Sequence, residues 1–425
     1  MVTTGAVVTA AALVPGAALA GTVTAKAATA KAVRVKPPAN AKPGSGALLQ
    51  AVSCVRPRSC TAGGDYVDSA GHDQAMVVAE SNGRWARGQE LRMPPGTPAQ
   101  PFAELNAISC AAAGSCLAGG SFEVGGTFIG FVATESHGTW GRALRLAPPA
   151  SAPASASFVV SALSCTGPGA CVVIGGYRDK HGNAQIFAVT QSKGTWGKAT
   201  ELRMPPSANA NPDALAFGVS CARAGTCVTV GIFNNLASVT RPLSVTESGG
   251  KWRQGSAISL PRGTSATSTG SALAVSCPAP GSCVAVGSYT DAAAGAQAFT
   301  VTQSKGRWQR AALFTKLPSN AAANPAPALT GVSCPAPGSC AAVGGYTDMA
   351  GGSASLAAFR HGGRWLGGIE IIPPPGAAVG GVLNTSMRGV SCTSTPFCAA
   401  VGDYGTKAGP SAAMGAALSV PATSG

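Results

Sequence analysis

The chain has 425 residues and a formal net charge of +14, with 30 Lys and Arg against 16 Asp and Glu and a pI near 9.4. Its 57 Gly and 31 Pro work against long helices. Only 5% of residues are aromatic, so any core must be built mainly from small aliphatic side chains.

The N-terminus is read first. Residues 5–20 form an uncharged apolar run of 16 residues, interrupted by Pro15 and ending in Ala18-Leu-Ala20. Such a run is short for a bilayer span and ends in a small-residue cleavage pattern, which predicts a secretory signal peptide over 1–20 and a mature domain over 21–425. The leading Met-Val-Thr-Thr-Gly lacks the positive charge usual in such leaders. Next comes Lys31-Ala-Val-Arg-Val-Lys-Pro-Pro38, which repeats the pattern Lys198-Ala-Thr-Glu-Leu-Arg-Met-Pro-Pro206. The interval to the next cysteine is also the same in both, from Lys31 to Cys54 and from Lys198 to Cys221.

From there the chain is an array. Seven Cys-x5-Cys pairs recur about every 56 residues: Cys54/Cys60, Cys110/Cys116, Cys165/Cys171, Cys221/Cys227, Cys277/Cys283, Cys334/Cys340 and Cys392/Cys398. A tryptophan follows 30 or 31 residues after the first cysteine in six of them, at 85, 140, 196, 252, 308 and 365. Four short apolar runs separated by turn residues fit every unit; in the fifth they span 272–277, 283–289, 298–303 and 307–313. Four-stranded units repeated in this way predict an all-β, seven-bladed β-propeller of four-stranded antiparallel blades. The seventh unit ends without a tryptophan strand. The N-terminal segment, about 29–37, supplies the missing outer strand and closes the ring, whereas the competing open solenoid would need a cap at each end.

An even cysteine count in local pairs, with His only at 72, 137, 181 and 361, predicts one disulfide per blade in an oxidising compartment. Each pair brackets the turn between the first two strands. Zinc is disfavoured, because its sites space thiolates more closely and need a second pair nearby. A bridge closing seven residues contributes about 2.4 kcal/mol in the chain-entropy description. The tryptophans are expected to pack between adjacent blades, with sugar stacking as the functional alternative.

The turns Ser81-Asn-Gly-Arg-Trp85, Ser136-His-Gly-Thr-Trp140, Ser192-Lys-Gly-Thr-Trp196, Ser248-Gly-Gly-Lys-Trp252 and Ser304-Lys-Gly-Arg-Trp308 carry a resemblance. They look like a shortened form of the Ser-x-Asp-x-Gly-x-x-Trp turn of seven-bladed propellers with Asp-box or bacterial-neuraminidase-like repeats, without its Asp. The chain is also similar to the Cys-pair repeat propellers of secreted actinobacterial proteins. The resemblance implies architecture over about 31–420. Sialidase activity would further require an arginine cluster, a Tyr nucleophile with its Glu and an acid Asp. The Arg-Ile-Pro signature of that family is absent.

Candidate sites fall into two groups. At the second-to-third strand loops, Tyr-x-Asp recurs at Tyr66/Asp68, Tyr177/Asp179, Tyr289/Asp291 and Tyr346/Asp348. These residues read either as Asx turn caps or as a ring of carboxylates at a channel mouth. At and after the tryptophan turns lie 16 of the 30 basic residues, Lys305, Arg307 and Arg310 among them, and these form a basic rim. The rim suits anionic cell-wall polymer or polysaccharide, or else serves as a solvated face. The connections between units, nearly uncharged, favour a binding surface for glycan or protein over hydrolysis. The expectation is a secreted, extracellular, monomeric binding or scaffold propeller without cofactor, metal or transmembrane segment. The alternative is a carbohydrate-active hydrolase or lyase with its site at the channel mouth. Nucleic acid is disfavoured by export and by the lack of interleaved exposed aromatics.

Overall fold

The computed structural model describes residues 30–98, 101–153, 155–377, 384–393, 397–407 and 409–419. The leader expected over 1–20 and residue 29 of the expected closing strand lie outside them. Among the described residues every regular element is a β-strand. The fifth repeat shows the pattern: Gly270–Ala279, Ser282–Thr290 and Ala296–Ser304 pair antiparallel in order, followed by the short pieces Arg307–Trp308 and Ala312–Leu313. Five repeats each form such a sheet. The sixth and seventh join in one nine-stranded sheet, in which Ala30–Arg34 pairs parallel with Ile369–Ile372 and antiparallel with Ser411–Ser419.

The expected fourth strand is interrupted. In the fifth repeat Gln309 and Phe314 donate to Thr302 and Ala298 of their own sheet, but Ala311 between them donates to Ser259 of the preceding repeat. Gly255 to Arg203, Ala143 to Arg92 and Gly368 to Lys316 repeat this, and Gly88 donates to Lys36 beyond the N-terminal strand. The outer run thus divides its hydrogen bonds between two sheets.

Core clusters sit between neighbouring sheets. One combines Val228 and Val230 of the fourth repeat with Val275, Tyr289 and Phe299 of the fifth. Another combines Leu49 and Tyr66 of the first with Ala399 and Val401 of the seventh. The inner strands are stitched by one recurring bond, in which the N–H of each first cysteine donates to a serine hydroxyl of the preceding repeat. Cys110 donates to Ser53 at 2.9 Å, Cys277 to Ser220 at 2.9 Å, Cys392 to Ser333 at 2.9 Å and Cys54 to Ser391 at 2.9 Å.

All fourteen cysteines are bridged in the seven expected pairs, one disulfide per repeat. Their setting differs from a staple on an open turn. The second cysteine of every pair (Cys60, Cys116, Cys171, Cys227, Cys283, Cys340 and Cys398) is buried and belongs to a core cluster. It leads into the second strand, whose side chains alternate between two neighbouring sheets, so its sulfur fills space between repeats. The bridges are therefore packing elements as well as chain constraints. Repeated antiparallel sheets stacked face to face, each stapled once, fit a β-propeller.

Two glycine positions make the repeat possible. The residue four after the first cysteine has positive φ throughout the first six repeats: Arg58, then Gly114, Gly169, Gly225, Gly281 and Gly338. The carbonyls of these five glycines accept the N–H of the tryptophan-turn glycines Gly138, Gly194, Gly250, Gly306 and Gly363, so both turns share one face. Ten residues after each first cysteine stands another glycine, opposite a bulge in the first strand.

Candidate functional site

The two predicted groups lie at opposite ends of the strands. In the fifth repeat the pairing runs from Cys283–Gln303 at the turn end to Thr290–Ala296 at the loop end. The structure therefore does not bring Asp291 and Lys305 together.

At the loop end the carboxylates serve the backbone. Oδ1 of Asp68 accepts the N–H groups of Ala70 and His72, and that of Asp179 accepts His181 and Asn183. Asp291 accepts Ala293 and Gly295, and Asp348 accepts Ala350 and Gly352. Asn235 does the same for Ala237 and Val239. These are Asx turns. Asp291 is held below the ordinary carboxylate range by the Gly295 N–H first and by the Gln297 amide second. In the seventh repeat Tyr404 occupies the tyrosine position, buried like its siblings, and Thr406 stands where the Asp would be.

The tyrosines are buried, and their hydroxyls in three repeats are committed to a bridge that sequence reading missed. Tyr66 Oη lies 2.6 Å from Glu90 Oε2 and 2.9 Å from Asn40 Oδ1. Tyr177 donates to Glu201, and its hydroxyl is 2.7 Å from Ser151 Oγ. Tyr346 donates to Asn320 at 2.7 Å, and Asn320 donates to Glu370 at 3.1 Å. The interval from tyrosine to acid is the same in all three repeats, as is the interval back to the polar partner. Those matched spacings were the available signal. The bridge ties the entering connection to the outer strand. Burial first, and Glu370 second, push Tyr346 up to about 12, and burial with the Glu90 and Glu201 carboxylates raises Tyr66 and Tyr177 as well. With 1–3% exposure these phenols are held inside the sheets, away from a substrate at the surface.

A second feature breaks the repeat symmetry. Asp65 and Asp403 stand eleven residues after their first cysteines, where the siblings are Ser121, Gly176, Ile232, Ser288 and Gly345. Asp403 pairs with Arg388 at 3.0 Å. Asp65 has one buried oxygen without a hydrogen-bond partner, and its pKa is pushed up to about 7, chiefly by burial, then by Glu104 and Asp73, with Arg388 opposing. The same loop face holds a cavity of about 650 Å³ lined by His72, Asp73, Phe102 and Glu123. Among the described residues no group of three or more His, Cys, Asp or Glu is arranged to hold a metal. No helix among them is long and apolar enough to cross a membrane.

The turn end carries the cations. Lys305, Arg307 and Arg310 are exposed, as are the other rim residues except the half-buried Arg360. Arg310 donates to the carbonyl of Leu260 at 3.0 Å and Arg142 to that of Met93 at 2.9 Å, each in the preceding repeat. Among the described residues the only ion pairs are Arg388 with Asp403 and His72 with Asp68, so no rim cation is paired with a carboxylate.

The tryptophans pack as expected, each over the third strand of the preceding repeat. Trp252 lies in one cluster with Ala188, and Trp196 with Val132. A Cβ added to Gly415 would meet Trp85 Nε1 at 2.5 Å. Trp308 Nε1 donates to Ser244 Oγ at 2.8 Å.

No family model and no curated protein matches the chain. Among solved structures it is similar to the BP39L lectin of Burkholderia pseudomallei, at 16% identity and a TM-score of 0.47, covering 87% of this chain and 98% of that one. It is also similar to the sialidase of Trypanosoma rangeli, at 11% identity and a TM-score of 0.48, covering 90% of this chain and 58% of that one. A fucose-specific lectin from Aleuria aurantia matches at 11% identity and a TM-score of 0.40, covering 78% of this chain and 97% of that one. The chain thus spans less than two thirds of the sialidase.

Proposed function

We propose that the chain is a secreted, monomeric, seven-bladed propeller, closed by its N-terminal strand, that binds an anionic cell-envelope polysaccharide or wall polymer without catalysis. The observation that carries this reading is the exposed row of Lys and Arg at the tryptophan turns with no carboxylate partner. Cations left unpaired along one rim create a positive field that concentrates a polyanion, and salt screens that field. Seven disulfides point to an oxidising environment, in keeping with export of the chain. Closure is supported by the Cys54 to Ser391 bond, the Ala32–Ala416 pairing and the contact of Trp85 with Gly415. The hydrolase reading loses support because the loop-face Asp and Tyr groups are spent on turn caps and buried bridges.

The test is retention on isolated actinobacterial cell-wall fractions at low and high salt. Wild type is expected to bind at low salt and elute as salt rises. Lys305→Glu, Arg307→Glu and Arg310→Glu together are expected to weaken retention by about tenfold or more. Undiminished retention by this triple variant overturns the rim as the binding surface.

A further inference from the structure

We propose that the groove between the third and fourth repeats is a discrete carbohydrate site, taking a sugar hydroxyl between Trp252 and Glu247 and an anionic substituent of the same sugar at its basic mouth. This deepens the polysaccharide reading and rests on it. The groove encloses about 610 Å³, within the range of small-molecule sites. Glu247 and Trp252 are directly opposed on antiparallel strands and therefore share a face. Glu247 is 2% exposed, and its Oε2 is buried with no hydrogen-bond partner. Trp252 Nε1 is likewise buried and unpartnered, the one indole in that state among the described residues.

An unpaired acceptor alone is a property of the repeat, since Glu80, Glu135 and Gln303 share it. The buried unpaired donor is particular to this groove, and Trp308 is the one indole among the described residues that has an acceptor. One repeat later, Trp308 Nε1 is satisfied by Ser244. The position equivalent to Ser244 in the preceding repeat is Ala188, which lines this groove. Ala188 offers no oxygen, so the Trp252 N–H lacks the bond its sibling makes. A buried donor and a buried acceptor left open on one face of the sheet are costly. A hydroxyl answers both, accepting from the indole and donating to the carboxylate. At the mouth stand Lys198, Arg203 and Lys251, all exposed and without carboxylate partners. The Glu201 carboxylate, also at this groove, is engaged with Tyr177 and Ser151. Hydroxyl inside and positive charge outside describe an acidic pyranose better than a neutral one.

The experiment is calorimetric titration of the intact protein with oligogalacturonate and with neutral galactan oligomers of equal length. Wild type is expected to saturate with the acidic oligomer and to bind the neutral one about tenfold more weakly or worse. Ala188→Ser supplies the oxygen that Ser244 supplies next door and should preserve folding, checked by a melting midpoint no lower than that of wild type. Trp252→Phe keeps an aromatic ring and removes the N–H. Each is expected to weaken oligogalacturonate by about fivefold or more. Absence of saturable binding by wild type, or wild-type affinity in both variants, overturns the site. The rim reading fails separately, on polymer retention by the triple charge variant, in which neither Ala188 nor Trp252 is altered.

Discussion

A Cβ on Gly231 would lie 1.9 Å from the carbonyl oxygen of Leu215, and Gly120, Gly175, Gly287, Gly344 and Gly402 meet the same 1.9 Å contact in their repeats. The bulge in each first strand aims a carbonyl into the second strand, and only hydrogen fits there. Gly231→Ala is therefore expected to cost about 2–3 kcal/mol, read as a lower denaturant midpoint. Asp65 makes the opposite kind of residue-level argument, through protons. Its folded pKa of about 7 lies above the 3.8 of the free carboxyl, so the folded state binds the extra proton. The stabilisation this confers is complete below about pH 4 and is lost as pH rises through 7. A rise of that size corresponds to about 4 kcal/mol. Melting curves at pH 5 and pH 8 should show Asp65→Asn gaining on wild type at the higher pH. A constant difference between the two proteins at both values would reject the raised carboxyl.

At the scale of the element, each repeat is held at its two ends by different chemistry. The loop end of the sixth repeat depends on Asp348, buried and accepting two backbone N–H groups at 3.0 and 2.8 Å. Asp348→Ala strands both donors and is expected to cost about 1–3 kcal/mol, measured by chemical unfolding. The turn end depends on the disulfide and on the Gly281 to Gly306 bond between turns. Replacing Cys277 and Cys283 together by Ala should cost about 2 kcal/mol, again read by chemical unfolding. Both devices were legible in the sequence, because a Cys-x5-Cys turn and an Asp followed by Gly act within a few residues of themselves. That the second cysteine also packs between repeats was not, since burial depends on the neighbouring sheet. The Tyr66, Tyr177 and Tyr346 bridges were not read, because their acids lie far along the chain in the outer run, where exposed Glu is ordinary. The broken outer run also escaped notice, since the bond from Ala311 to Ser259 belongs to two repeats. Asp65 escaped for a further reason: Asp403 and Arg388 come near it only when the two ends of the array meet.

That meeting is the property of the whole molecule, and the N-terminal strand is where it can be tested. Ala30–Arg34 pairs with Ser411–Ser419 through Ala32, Val33 and Arg34, and the Val35 N–H adds a bond to Ala413 at 2.9 Å. Ala32 and Val35 are buried, at 5% and 1% exposure. Without this strand, Ser411–Ser419 becomes a sheet edge whose sequence, SAAMGAALS, carries no charge to discourage pairing with another chain. The parallel contact to Ile371 and Ile372 disappears with it, so the sixth and seventh repeats lose their shared sheet. Deletion of residues up to 35 is thus expected to lower the melting midpoint and to shift the protein to larger species than the full chain on size exclusion. A synthetic peptide of residues 30–37 added in excess should restore the elution of the full chain, because it returns the same hydrogen bonds and the same buried Ala and Val. If the truncated chain elutes like the full chain with an unchanged midpoint, the fold does not depend on its N-terminal strand and the array is held by its inner strands alone.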